Sequence, residues 1–266
     1  MSISLGPAGS PARSTLEGIP QVKKLGLQAM EVEFVRGVRM SPGLAQQVGE
    51  AAAAHGIALS VHAPYYINLA SHNSATVAAS RRHILDSCER AHLMGASTVV
   101  FHPGCYGTHS PEDTYELIRH EILGLLDAIR DLSWDVALAP EVMGRLSQFG
   151  SFDDVLRLSK DTHCSLCIDV CHVYARNLGT IDYQRLFEGL TSLKRTAFHF
   201  HFSGVTYGPR GERSHETLER AGPAFEGFAR RLLESGFGAT VISESPVTWE
   251  DSLVMKAVLE RLGYKF

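Results

Sequence analysis

The chain has 266 residues, 44% hydrophobic and 20% charged, which is enough for a large buried core, while no apolar run approaches the length of a membrane span. Its net charge of −4 argues against a generic nucleic-acid binder with a basic surface, although three bound divalent cations would turn the total positive and focus the change in one cleft. Five cysteines, an odd number, speak against a secreted disulfide framework and for a reducing compartment. The first ten residues lack the basic start and apolar run of a signal peptide, so a cytoplasmic location is expected. No linker divides the chain, and one domain over residues 1–266 is expected.

Taken in order, short apolar runs of strand character alternate eight times with longer helical patterns. The predicted strands are 3–5, 29–34, 58–62, 98–102, 136–141, 165–169, 197–202 and 240–243. The predicted helices between and after them are 15–25, 42–55, 74–94, 111–132, 152–159, 183–190, 223–235 and 249–262. Gly26, Gly56, Gly95, Gly236 and Gly263 stand where a left-handed helix cap belongs. Eight strand-helix units imply an α/β fold, a single (β/α)8 TIM barrel, with a doubly wound open sheet as the alternative because closure is not visible in periodicity.

Polar residues fall at the strand ends. Glu33, His62, His102, Glu141, Asp169, His201 and Glu244 each close a predicted strand, and a barrel aims the C-terminal ends of all its strands at one mouth. One such residue is easily a satisfied buried group; seven in succession point to a shared metal site at the C-terminal mouth. Pro64 keeps Ala63 extended beyond His62 and brings Tyr65 and Tyr66 to the rim, and Pro103 with Gly104 does the same after His102. In Cys167-Ile-Asp-Val-Cys-His172 the strand ends on Asp169, and His172 is expected to follow from the loop. The bland reading of Asp169-x-x-His172 is a helix cap beside an ordinary histidine. The polar segment 203–215, with Glu212 and His215, is expected as a loop folding back over the pocket.

The remaining signals are weaker. His199 shares the inward face of His201 one layer deeper and suits outer support of a ligand. His55, His72, His83, His92, His109, His120 and His163 lie away from the strand ends and read as exposed or routinely hydrogen-bonded. Strand alternation puts Cys164 and Cys167 on opposite faces, against a thiolate site. There is no nucleophile elbow, phosphate loop or dinucleotide fingerprint, and Gly6-Pro-Ala-Gly9 reads as the exit of the first strand.

The motifs His62-Ala-Pro-Tyr-Tyr-Ile-Asn-Leu69, Phe101-His-Pro-Gly104, Pro140-Glu141, Cys167-Ile-Asp-Val-Cys-His172, His201-Phe-Ser-Gly204 and Ser243-Glu-Ser-Pro246 resemble the endonuclease IV family of abasic-site repair enzymes, AP endonuclease family 2, over nearly the whole chain. Gly6-Pro-Ala-Gly9, the segment 30–39 and Ser147-Gln-Phe-Gly150 look like a shorter, divergent branch. The resemblance implies a xylose isomerase-like barrel with about three Zn2+ ions, one of which Mn2+ could replace. His62, His102 and Glu141 would hold the first, and Glu141 would bridge to a second held by Asp169, His201 and Glu244. His172 and His215 would help hold a third. The family's aspartate before the last histidine is replaced here by Arg213, so Glu212 is assigned as the nearest acid. Tyr65 and Tyr66, with Arg36 or Arg39, match the DNA-contacting positions.

The implied activity is hydrolysis of the phosphodiester 5′ to an abasic site in double-stranded DNA, by a monomer acting in base excision repair, with Glu141 and Glu244 positioning the attacking water. Zinc lowers the pKa of bound water towards ~7, which is the chemistry such a ligand set provides. The rival is a sugar isomerase or epimerase of the same barrel class, using Glu141, Asp169, His201 and Glu244. That reading leaves His62, His102, His172 and His215 unused. A binding module without activity would need a broken ligand set, and only Glu212 hints at that.

Overall fold

The computed structural model describes all 266 residues. In chain order the elements are β1 (Ile3–Pro7), α1 (Thr15–Lys24), β2 (Ala29–Glu33), α2 (Pro42–His55), β3 (Ala58–His62), α3 (Ser74–Met94), β4 (Thr98–Phe101), α4 (Pro111–Asp131) and β5 (Ala137–Pro140). There follow α5 (Phe152–Thr162), β6 (Cys167–Asp169), α6 (Val170–Arg176), α7 (Tyr183–Thr191), β7 (Ala197–Phe202), β8 (Gly204–Gly208), β9 (Gly211–Glu216), α8 (Phe225–Ser235), β10 (Gly238–Ser243) and α9 (Trp249–Arg261).

Eight parallel strands form the barrel. Two continuous ladders, β1-β10-β7-β6 and β2-β3-β4-β5, account for all eight strands. Single parallel bridges, Ala8 to Glu31 and Glu141 to Cys167, close the two seams. Closure at the first seam needs Gly6, because a Cβ there would lie 1.7 Å from the Ala29 carbonyl oxygen. The open-sheet alternative is thereby set aside, and a closed (β/α)8 barrel is the fold.

Side-chain alternation sorts each strand into two faces. On β7, Phe198, Phe200 and Phe202 face outward and meet Phe187, Phe225, Phe228 and Phe237 beneath the helices, with Phe200 and Phe228 ring centroids 5.1 Å apart. Ser41, Asn73, Ser110, Ser151 and Asp182 each accept a backbone N–H at a helix start, fixing where those helices leave the mouth. Left-handed caps occur at Gly56, Gly95 and Gly236 as expected, whereas α5 runs further than predicted and ends on His163.

Two local expectations differ. The segment 203–215 is an antiparallel hairpin, β8 with β9, rather than a loop. Its tip is stitched to the chain after β5 by Leu146 N–H to Arg210 O, 3.1 Å, and Glu212 N–H to Gly144 O, 3.2 Å. The two strands pair with each other across a short turn, and only the anchor of their tip is remote in sequence. His172 arrives on the first turn of α6 rather than on a loop, because Asp169 caps that helix through His172 N–H at 2.9 Å.

Candidate metal centre

The strand ends converge on Glu141. This carboxylate is 1% exposed. Its Oε2 lies 3.2 Å from His62 Nε2 and 3.1 Å from His102 Nε2, and its Oε1 lies 3.3 Å from His172 Nδ1 and 3.4 Å from His201 Nδ1. His62 Nδ1 is 2.7 Å from the Ala63 carbonyl, which accepts its proton, so Nε2 would be the nitrogen that a cation at the mouth meets once the proton it shares with Glu141 is displaced. His172 Nδ1 lies 2.9 Å from Val142 O, and its Nε2 faces His215 Nε2 at 3.1 Å. Glu244 Oε1 sits 3.3 Å from His201 Nδ1, and its Oε2 sits 3.7 Å from His215 Nδ1.

Donor atoms fall into overlapping sets in which every atom lies within 4.8 Å of the others: His62, His102 and Glu141; Glu141, Asp169, His201 and Glu244; and Asp169, Cys171, His172 and His215. Glu141 belongs to two of these sets, as a bridging carboxylate would. Glu31 Oε1, Glu33 Oε1, Glu141 Oε1, Asp169 Oδ2 and both ring nitrogens of His201 are buried without a hydrogen-bond partner. Buried polar atoms are rarely left unpaired, and their concentration around one point suits cations held there. Imidazole and carboxylate are the donors zinc accepts, so the residues fit that group.

The electrostatics agree. Burial works against ionising these carboxylates, yet the surrounding imidazoles overcome it: Glu141 is held well below the usual carboxylate range and Glu244 down to about 2. Burial likewise opposes charge on His62, but Glu141 and Glu33 raise it to about 10. Asp169 is pushed up by burial, only partly relieved by His172. Protons therefore hold the metal-free cluster together, and divalent cations would displace them.

Glu33 and Glu31 extend the picture. Glu33 lines the mouth beside His62, and burial pushes it up to about 8 against the pull of His62. Glu31, unmarked by the strand-end pattern, lies one layer below at 0% exposure, bonded to Ser60 and His199. The same two-residue alternation that assigns His199 beneath His201 would have found Glu31 beneath Glu33.

Glu212 reaches the mouth from β9 with Oε2 3.6 Å from His172 Nε2, and it also faces Arg145 Nε at 3.7 Å. The approach is close enough that a Cβ on Gly144 would sit 2.6 Å from the Glu212 Cβ and 2.8 Å from the His172 ring. A cavity of about 270 Å3 opens over the cluster, lined by Glu33, His62, Tyr65, His102, Glu212 and Glu244 among others. Tyr65 and Tyr66 stand exposed at its rim, their rings 5.5 Å apart, with Tyr66 edge-on to His83. Arg36 and Arg39 are exposed on the adjoining loop, where Gly37 approaches the Tyr66 hydroxyl.

Of the other histidines, His55 meets the Ala51 carbonyl, His72 the Thr108 hydroxyl and His92 the Asp135 N–H, His120 and His163 are exposed, and His109 stacks on His72 with its Nε2 buried and unpaired. All five cysteines are free. Cys164 packs in the outer apolar layer while Cys167 faces the barrel interior, so the two form no joint site.

Comparison with known proteins decides the family. A family model described as xylose isomerase-like TIM barrel, of AP endonuclease type 2, matches residues 19–262. The chain belongs to that family. It is 35% identical over 260 residues, 94% of each chain, to an uncharacterised protein of Methanocaldococcus jannaschii. It is 30% identical over 174 residues to a probable endonuclease 4 of Streptomyces coelicolor, spanning 59% of this chain and 58% of that relative. Among solved structures, endonuclease IV from Thermus thermophilus superposes with a TM-score of 0.73 at 22% identity, covering 98% of this chain and 100% of that one. A D-tagatose 3-epimerase-like protein gives 0.75 at 17%, covering 98% and 96%. These two likenesses share a fold and leave the reaction to be argued from the site. No helix of the chain is long and apolar enough to cross a membrane.

Proposed function

We propose that this protein hydrolyses the DNA phosphodiester 5′ to abasic sites, leaving a 3′-hydroxyl and a 5′-deoxyribose phosphate, with about three zinc ions at the barrel mouth. The observation that carries this reading is the convergence of four imidazoles, His62, His102, His172 and His215, on Glu141 and the mouth around it, beyond anything an epimerase tetrad uses. In this reading, His62, His102 and Glu141 would hold one ion, and Glu141, Asp169, His201 and Glu244 a second. His172 and His215 would hold the third together with Glu212. Bound zinc supplies Lewis acidity towards the phosphate and a water acidified towards neutral pH.

The chain's own residues do the rest. Glu33, Glu141, Asp169, Glu212 and Glu244 bring carboxylates to the mouth, and cations held among them in place of protons would draw a phosphodiester in. Glu244, ionised down to about pH 2, would accept a hydrogen bond from the attacking water, and Glu141 would help orient it. Tyr65 and Tyr66 stack at the gap left by the missing base, which an abasic nucleotide leaves at low unstacking cost. Arg36 and Arg39 contact the backbone beside them. The protein acts as a cytoplasmic monomer in this reading.

The specific observation behind a second reading is that Glu141, Asp169, His201 and Glu244 form one donor set, as a sugar epimerase of this fold would require. One experiment separates the two. Metal-replete protein is incubated with a duplex carrying a single tetrahydrofuran abasic analogue, and the expected product is one nick with an extendable 3′-hydroxyl. An intact duplex, together with epimerisation of a ketohexose, overturns the repair assignment.

A further inference from the structure

Below the mouth lies a polar layer that the proposed chemistry leaves unused. The β2-β3 register puts Glu31 opposite Ser60, and β7 brings His199 across the barrel to the same carboxylate. Ser60 Oγ donates to Glu31 Oε2 at 2.7 Å, and His199 Nε2 lies 3.0 Å from the same oxygen. The other oxygen, Oε1, lies 2.8 Å from His201 Nε2. Glu31 and His201 are 0% exposed, Ser60 3% and His199 5%. An isolated buried carboxylate is costly, so a carboxylate bonded by Ser60 and His199 on one oxygen, with its other oxygen unpartnered beside His201, needs a purpose beyond filling space, for which a leucine would serve. The usual interior of such a barrel is bulky and branched.

His201 turns its Nδ1 to Glu141 and Glu244, at 3.4 and 3.3 Å, which leaves its Nε2 facing down. A neutral imidazole carries one N–H, and the acceptor on one nitrogen decides whether the other offers a lone pair. We infer that Glu31 is a positioning residue for the metal centre: its Oε1, 2.8 Å from His201 Nε2 and otherwise unpartnered, would accept the Nε2–H once Nδ1 is given up to a cation held with Glu141, Asp169 and Glu244, and so would hold that ring in one tautomer. Ser60 and His199 fix the carboxylate so that Oε1 cannot turn away. The inference rests on metal binding at the mouth and is independent of whether the substrate is DNA or a sugar.

The test is chelator competition on the metal-loaded protein, read as metal retained per chain, with no substrate present. Glu31→Gln preserves shape but cannot accept from both histidines, and is expected to weaken metal retention by about 10- to 100-fold. Ser60→Ala, which removes only the hydroxyl that steadies the carboxylate, is expected to weaken it less and decides the matter should Glu31→Gln fail to fold. Melting with and without chelator separates roles: a merely structural Glu31 lowers both values equally, whereas a positioning Glu31 shrinks the increment that metal adds. Nitrogen-15 spectra of His201 should report the Nε2–H tautomer in the parent and a mixture in the variant. Parent-like retention in folded Glu31→Gln, or in Ser60→Ala where Glu31→Gln does not fold, overturns the inference. A parent that binds no metal instead defeats the metal reading of the mouth itself.

Discussion

The two faces of β7 differ more than any two surfaces of the molecule, although six consecutive residues, Ala197 to Phe202, supply both. Outward, Phe198, Phe200 and Phe202 sit among other phenylalanines in the layer between strands and helices. Inward, His199 and His201 face carboxylates from β2, β5 and the end of β10. The outward side is held by area and volume, which many apolar residues supply, and the inward side by donor geometry, which few supply. Stability and chemistry are therefore separable here by one residue step along a strand.

The sharpest way to break that separation is at Glu141. Glu141→Gln removes the shared carboxylate without changing its size, and cleavage should fall by at least about 10^3-fold, equal to about 4 kcal/mol of transition-state stabilisation. Metal analysis of the variant should show ions missing while circular dichroism stays native. Retained cleavage would separate Glu141 from the reaction.

Phe200→Ala probes the opposite face. The ring is fully buried against Phe228, so truncation should cost about 3 to 5 kcal/mol in denaturant unfolding. Metal per folded chain should stay at the parental value; parallel loss of metal would show that the faces are coupled through the strand.

Glu33 sharpens the comparison through pH. Burial, opposed by His62 and reinforced by Glu31 and Glu244, raises this acid from 4.5 to about 8, so the folded chain holds its proton more tightly than the unfolded chain. Its stabilising contribution is complete below the ordinary carboxylate value and disappears as pH rises from 4.5 to about 8. Stripped of metal, the protein should lose stability across that window, and Glu33→Gln should recover about 3 kcal/mol at most near neutral pH. Urea titrations of chelated parent and variant at several pH values check this, and identical profiles would remove Glu33 from the account.

The smallest effects belong to the rim. Tyr65→Ala and Tyr66→Ala should each weaken capture of an abasic duplex by about 1 to 3 kcal/mol with metal content unchanged. Arg36→Ala or Arg39→Ala should reduce the slope of binding against salt by about one phosphate contact. Parent-like DNA binding in all four would mean that this rim does not read a duplex.

The local pattern sufficed for much of this molecule. Period-two alternation in runs such as 58–62 and 197–202, separated by capped helices, specifies parallel strands, and parallel strands in a barrel must end at one mouth. The acids and imidazoles at those ends were therefore legible as one group, from Glu33 and His62 round to Glu244. Asp169-x-x-His172 was legible in two ways, and folding is compatible with both: Asp169 caps α6 while its second oxygen faces the cluster. What the chain could not announce locally depends on contacts between segments far apart. Closure rests on two single bridges, and the hairpin β8-β9, whose register is its own, takes its place from residues 144–146. The depth of Glu31 acquires meaning only when β7 brings His199 and His201 across the barrel, 168 residues away for His199. Side-chain direction is a property of neighbouring residues, whereas the partner a side chain meets is chosen by the packing of the whole barrel.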